Sequence, residues 1–305
     1  MSEDEPQSVW GWLVAADFFF GGTGASLFLV SLILNFSGSY GDLPQFGLVI
    51  GLVFVVIGLA FLAKHQWERR EKFLNVLRRP RTSWISRGTI FNIVFLVFGI
   101  LYVAPHWLGW VPYAQETSLG FGIGTVGGVA AFLIVLYPSM FLQSLNSIPF
   151  WNSPILPLLF VSYGLTGGLG ILSIASSVLI STTMSTTLES LVWWQTLLLG
   201  FTLAFLAIQL TWAYSSRTES KKSVVELTKG RLAGFFIVGS LVVGLFIPLV
   251  ASIFSYLTRD LVVSAISGVL ILIGSLLNKY TILSAGFYVE LLPRSWSAPS
   301  VPDVR

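Results

Sequence analysis

Long apolar runs, separated by short polar segments, dominate the pattern of the chain from residue 12 onwards. Most of them reach the roughly 20 residues that a helix needs to cross the hydrocarbon core of a bilayer. In lipid, helices and closed barrels alone satisfy the backbone hydrogen bonds, and these runs are too continuous for barrel strands. The pattern therefore predicts an all-α integral membrane protein with eight transmembrane helices, at about residues 12–36, 45–64, 88–105, 119–142, 154–180, 190–214, 231–257 and 261–287.

Small residues inside these runs predict how the helices pack. Glycines recur one helical turn apart, a spacing that lets two helices approach closely. The pairs are Gly47 and Gly51, Gly124 and Gly128, and Gly164 and Gly168. The stretch "DFFFGGTGAS" in the first run is similar to "FVSYGLTGGLG" in the fifth, as expected for two repeats in parallel. We therefore predict two four-helix bundles, residues 1–150 and residues 151–305.

The composition of the chain excludes several classes of protein and of functional site. The chain is 54% hydrophobic and only 10% charged, which excludes an ordinary soluble domain. It has no cysteine, so it can form neither a disulfide nor a cysteine-ligated iron–sulfur cluster. A net charge of +3 is too small to indicate nucleic-acid binding. The acidic start "MSEDEPQ" lacks a basic n-region, so the first run is expected to remain as a span.

The basic residues predict the orientation in the cell membrane. The loops after the second and sixth runs are rich in Lys and Arg, and with eight spans they share a side with both termini. The opposite side holds Arg259 alone. Because Lys and Arg concentrate on cytoplasmic loops, both termini of this multi-pass protein are predicted to be cytoplasmic.

Three polar side chains fall at similar depth near that cytoplasmic side. Asp17 is five residues into the first span, about 8 Å along its axis. His65 ends the second span, and Tyr137 is near the end of the fourth. An acid inside a membrane is costly, which makes Asp17 a candidate proton acceptor or ligand-binding group. The alternatives are a protonated Asp17 packed against a neighbouring Ser or Tyr, and a Tyr137 that only anchors its helix at the interface.

The remaining polar groups suggest weaker hypotheses. His65 and His106 end their spans on opposite sides, which excludes a haem with two histidine ligands, and no metal site is predicted. Asn92 and Lys279 are candidates for a proton pathway, although Lys279 is expected to extend to the membrane surface instead. The arginines around the second loop form either a docking surface for an acidic partner or a loop that sets topology and binds lipid headgroups. They are Arg69, Arg70, Arg78, Arg79, Arg81 and Arg87.

Five segments, in order along nearly the whole chain, resemble the NrfD family, which includes the membrane subunit of polysulfide reductase. The first two are "WGWLVAADFFFGGTGAS" and "RPRTSWISRGTIF". The segment "SIPFWNSPILPLLFVSYGLTGGLGI" is most similar to the family pattern at the fifth span. The last two are "GFFIVGSLVVGLFIPLV" and "LIGSLLNKYTILSAGFY". Where the family commonly has Leu-Arg in the eighth span, this chain has Asn278 and Lys279.

The resemblance implies a membrane-anchoring subunit of a quinone-linked oxidoreductase, not catalytic alone. It implies two four-helix bundles, a quinone of menaquinone type, and neither haem nor an iron–sulfur cluster in this chain. Electrons would pass between the quinone and a ferredoxin-like iron–sulfur subunit, which usually serves a molybdopterin catalytic subunit. Asp17, His65 and, more loosely, Tyr137 match the positions of the quinone-binding and proton-accepting groups. Many family members have the opposite orientation, so either the partner is cytoplasmic here or the basic loops exist for docking.

Two other functions remain open. Two parallel four-helix repeats and a buried Asp17 would also serve a proton-coupled secondary transporter. In that case the polar groups are expected near the midplane, on interrupted helices, rather than near one face. The other alternative is a structural anchor that tethers a soluble enzyme and binds no quinone.

Overall fold

The computed structural model describes residues 6–38, 41–68, 83–179 and 186–289. Within these residues the regular structure is entirely helical, with nine α-helices. The elements are α1 (Trp12–Phe36), α2 (Asp42–Glu68), α3 (Trp84–Trp107), α4 (Ser118–Gln143), a 3-10 turn (Pro149–Trp151), α5 (Leu156–Leu179), α6 (Thr186–Ser215), α7 (Thr218–Thr228), a π-helical segment (Gly234–Phe246) that runs directly into α8 (Ile247–Thr258), and α9 (Leu261–Ser284).

Eight helices within the described residues are long and apolar enough to cross a membrane, which confirms the eight predicted spans. The differences lie at the ends, where polar residues continue a helix beyond its apolar part. The second span continues to Glu68 and the third begins at Trp84, where the Ser83 hydroxyl caps the backbone N–H of Ser86 at 3.5 Å. A side-chain cap of this kind provides an acceptor for a backbone N–H group that has no partner within the helix.

Two features of the second half were not predicted from the sequence. The loop after the sixth span contains the short helix α7, which buries Val224 and Leu227 beneath a mostly polar surface. The seventh span begins as the π-helical segment, whose i→i+5 hydrogen bonds give a wider turn than that of an α-helix. This segment packs tightly on α9, since a Cβ atom at Gly274 would overlap Cα of Gly244.

Helices α1 and α5 are the most enclosed spans. In each, 78% of the most apolar window is buried, compared with 28% to 44% in the other spans. Helix α1 contacts α2, α4, α5 and α9. A Cβ atom on Gly51 would lie 2.7 Å from the carbonyl oxygen of Gly24, and one on Gly168 would lie 2.7 Å from the backbone nitrogen of Leu27. The glycine spacing therefore correctly predicted close helix contacts.

Away from the start of α1, buried amides are paired into two networks. Gln115 accepts a hydrogen bond from Asn35 Nδ2 at 3.0 Å and one from Gln45 Nε2 at 2.6 Å. In the second half, Gln195 Oε1 accepts from Ser173 Oγ at 2.6 Å, while Gln195 Nε2 donates to Ser252 Oγ at 3.0 Å. Because these side chains hydrogen-bond across helices, they tie together the helix ends opposite the start of α1, although no described residue donates to Asn35 Oδ1.

Candidate functional site

The starts of α1 and α3 and the ends of α2 and α4 meet at one face, here called the N-terminal face. The Trp10 ring, just before α1, lies 5.8 Å from the ring of His65 on α2 and 5.3 Å from that of Phe141 on α4. Gln7 fixes this segment, because its Nε2 donates to the carbonyl oxygens of Trp10 and Leu283, both at 2.9 Å. The first residues of the described chain therefore form a wall that joins the two halves.

Asp17 faces a small cavity of about 20 Å³ between α1, α2, α3 and α4. The residue is 7% exposed, and among the described residues no group hydrogen-bonds its carboxyl. Asn92 and Tyr137 line the same cavity, so the structure brings three of the predicted polar residues together. A cavity of this size has room for about one water molecule. Asp17 is thus a buried carboxyl group next to a space that can hold one water molecule.

His65 and Tyr137 line a second cavity, of about 70 Å³, that adjoins the first. Phe18, Leu62 and Tyr137 line both cavities and form their shared wall. We call the two cavities together the N-face crevice. Each is smaller than the roughly 150 Å³ space that can hold a benzene ring, so a ring-shaped ligand requires the shared wall to move.

The position of the Tyr137 ring depends on a glycine of α3. A Cβ atom at Gly88 would overlap this ring, so the absence of a side chain at Gly88 is what admits it. One turn further along α3, Asn92 Nδ2 donates to the carbonyl oxygen of Gly88 at 2.8 Å. Gly88 did not stand out in the sequence, because it belongs to none of the glycine pairs spaced by one turn.

Gln66 is a candidate ligand-binding residue that the sequence analysis did not identify. It lines the His65 cavity and is 7% exposed, and no described residue donates a hydrogen bond to its buried Oε1. A buried acceptor without a donor costs about 1–3 kcal/mol. Its polar character next to His65 was a usable signal, although it resembled the ordinary polar border at the end of a span.

With this geometry established, comparison with known proteins identifies the family. A sequence model described as "Polysulphide reductase, NrfD" matches residues 1–290. The chain belongs to the NrfD family. The family resemblance of the five sequence segments is therefore confirmed.

Two relatives show how far the similarity of this NrfD-family chain extends. It is 27% identical over 191 residues to "Protein NrfD" of Escherichia coli (strain K12), a match that covers 56% of this chain and 60% of that protein. It is 24% identical over 128 residues to a sulfite dehydrogenase subunit of Allochromatium vinosum, covering 40% of this chain and 39% of that protein. The matched part thus spans less than two thirds of either relative.

In this NrfD-family chain, Lys279 does not extend to the membrane surface, so that prediction was wrong. It is 2% exposed, and its Nζ lies 3.3 Å from the centroid of the Phe160 ring. The end of α9 is covered from outside, since the 3-10 turn docks on it with Trp151 Nε1 donating to the carbonyl oxygen of Ile282 at 2.9 Å. Phe160 separates Lys279 from Phe18 of the crevice, at 6.2 Å between the two rings.

The predicted docking arginines fall mostly outside the described residues. Those are Arg69, Arg70, Arg78, Arg79 and Arg81. Arg87 is described, and its guanidinium carbon lies 4.6 Å from the Trp84 ring at the start of α3, on the N-terminal face. His106 is exposed near the other end of α3, against Trp107 at 5.2 Å. The two histidines therefore lie at opposite faces of the NrfD-family fold.

Proposed function

We propose that the chain is the membrane-anchoring, quinone-interacting subunit of a multi-subunit oxidoreductase, with the N-face crevice as its quinone site. One observation carries the proposal: a buried carboxyl group, an imidazole and a phenol line adjoining cavities at one face. Beside them lies the Gln66 side-chain oxygen, to which no described residue donates a hydrogen bond. Membership of the NrfD family, whose members are generally quinone-linked, supports it.

The chemistry of quinol oxidation needs groups of these types. Oxidation of a quinol to a quinone releases two electrons and two protons, and the protons need nearby acceptors. Asp17 and His65 can each take a proton, while Tyr137 and Gln66 can hydrogen-bond the ring oxygens. Asn92 lines the Asp17 cavity, so we propose it as part of the proton route. Lys279, behind Phe160, is a more distant candidate for that route.

The electrons need a carrier in another chain. With no cysteine, this chain has no ligands for a cysteine-bound iron–sulfur cluster of its own. We propose that a ferredoxin-like iron–sulfur subunit docks on the N-terminal face at Arg87 and the five arginines of the preceding loop, and that it serves a molybdopterin subunit. The quinone would be of menaquinone type, and the charge bias would place this face and both termini in the cytoplasm.

The contacts between helices support the two-bundle architecture as a further part of the proposal. Helices α1 to α4 pack on one another, as do α5, α6, α8 and α9 with the π-helical segment. The two groups meet mainly through α1 and α5. In this arrangement residues 1–150 form the quinone-binding bundle and residues 151–305 form the second bundle.

Quinone binding by the purified complex tests the proposal. His65→Ala is expected to raise the dissociation constant of a water-soluble menaquinone analogue about tenfold, the equivalent of one lost hydrogen bond. His106→Ala, which alters the exposed histidine at the opposite face, is the matched control and should leave the constant unchanged. A complex that binds no quinone, or a His65→Ala variant with unchanged affinity, would contradict the assignment of the site.

A further inference from the structure

A further cavity, of about 530 Å³, lies on the same face but outside the N-face crevice. It is bounded by the segment before α1, by the turn after α7 and by the end of α9. Trp10 lines both this cavity and the His65 cavity, so one indole separates the two. We call it the interfacial groove. Its volume falls in the range of about 300–1,000 Å³ that is typical of small-molecule sites.

Aromatic rings form the apolar side of the groove. Trp12 at the start of α1 stacks on Tyr280 of α9, with ring centroids 3.8 Å apart and planes 6° apart. Phe235, at the start of the seventh span, meets Tyr280 edge-on at 6.0 Å. Trp12 is 45% exposed and Phe235 is 48% exposed, although both belong to membrane-spanning helices. Aromatic side chains at the ends of spans lie at the depth of the lipid headgroups.

The polar side of the groove carries one positive and one negative group. Glu226 Oε1 accepts hydrogen bonds from the backbone nitrogen of Arg231 at 3.2 Å and from its Nε at 3.4 Å. The terminal nitrogens of this guanidinium have no acceptor among the described residues, and the side chain is 77% exposed. Gly230 permits the arrangement, since a Cβ atom there would overlap the Glu226 carboxylate.

We propose that the interfacial groove binds a phospholipid whose headgroup carries a phosphate and a primary ammonium, as in phosphatidylethanolamine. The two free terminal nitrogens of Arg231 suit a phosphate, which a guanidinium binds with paired hydrogen bonds. The Glu226 carboxylate accepts from the ammonium, and the hydroxyl of Ser284 also lines the groove. The aromatic side of the groove packs against the glycerol region and the upper acyl chains.

The pairing of charges selects this headgroup over others. A purely anionic headgroup would bind Arg231 but would place a second negative charge next to the Glu226 carboxylate, so that one guanidinium would have to neutralise both. Phosphatidylcholine carries a cation, but its quaternary nitrogen has no N–H to donate to Glu226. A site for free phosphate would require neither the aromatic side of the groove nor Glu226.

Native mass spectrometry of the full chain, titrated with lipids of identical acyl chains, tests this site. The wild-type chain is expected to bind phosphatidylethanolamine about tenfold more tightly than phosphatidylglycerol or phosphatidylcholine, as one charge-assisted hydrogen bond provides. Glu226→Gln should remove the preference for phosphatidylethanolamine over phosphatidylglycerol. Arg231→Gln should weaken the binding of all three lipids. Glu189→Gln is the matched control, since Glu189 near the start of α6 pairs at 2.7 Å with Nη2 of Arg259, just before α9 and away from the groove.

Several outcomes would overturn the lipid site. They are equal binding of the three lipids by the wild-type chain, tighter binding of phosphatidylglycerol, and a preference unchanged in both groove variants. Displacement of the lipid by millimolar inorganic phosphate would indicate a site for phosphate alone and would also overturn it. The ranking of lipids by the wild-type chain decides the matter even if a variant fails to fold.

Discussion

Asp17→Asn is expected to lower quinol oxidation by the assembled complex about 10²-fold or more, the contribution typical of a positioned general base. Asparagine keeps the shape and most of the hydrogen-bonding capacity of Asp17 but cannot accept a proton. The buried carboxyl group faces a cavity between four helices and has no hydrogen bond from the described residues. Its replacement should therefore affect proton transfer more than packing.

The measurement is the steady-state rate of quinol oxidation by purified complex, together with the dissociation constant of a quinone analogue. Asp42→Asn is the matched control, because Asp42 is exposed at the first residue of α2, at the opposite face. We predict a reduced rate with little change in quinone affinity for Asp17→Asn, and a normal rate and affinity for Asp42→Asn. An assembled Asp17→Asn complex with the full rate would show that Asp17 does not accept a proton during quinol oxidation.

Gly88→Val is expected to weaken quinone binding by about 10- to 100-fold, because valine at this position overlaps the Tyr137 ring. Quinone binding would have to force the displaced ring back against the valine, at the cost of about 1–3 kcal/mol that is typical of overpacking, and every 1.4 kcal/mol corresponds to a factor of ten in affinity. The ring cannot stay in place, and its nearest open space is the crevice that it lines. The variant thus alters the crevice without altering any group that carries a proton.

The control for this variant is Gly122→Val on α4, where a Cβ atom would meet nothing within 4 Å. Both variants should insert into membranes and assemble, as judged by size-exclusion chromatography. Unchanged quinone affinity in a folded Gly88→Val complex would mean that the position of Tyr137 does not matter for binding.

Much of the fold could be predicted because lipid imposes a simple requirement on each span. An apolar run of sufficient length must be helical in a bilayer, so the eight spans followed from length and hydropathy. Glycine spacing also predicted close helix contacts, because a contact such as that of Gly168 with Leu27 requires one residue without a side chain. The depth of Asp17 and Tyr137 followed from counting residues along alternating spans.

Other features depend on tertiary contacts that no local pattern encodes. The π-helical segment replaces a regular helix where Gly244 meets Gly274, a contact between residues of two different spans. Lys279 was expected at the surface because a free helix end would allow it, but the 3-10 turn covers that end. Gly88 and Gln66 acquire their roles from neighbours on other helices, which the sequence alone does not identify.

The position of the quinone site can be measured by photoaffinity labelling with an azido-substituted menaquinone analogue. The purified complex is irradiated with the analogue, and labelled peptides are identified by mass spectrometry, with and without excess unmodified quinone. We predict quinone-protected labels in the segments that line the N-face crevice, around residues 10–18, 62–66, 85–92 and 134–141. Protected labels confined to residues 156–289, or labels that excess quinone does not suppress, would contradict it.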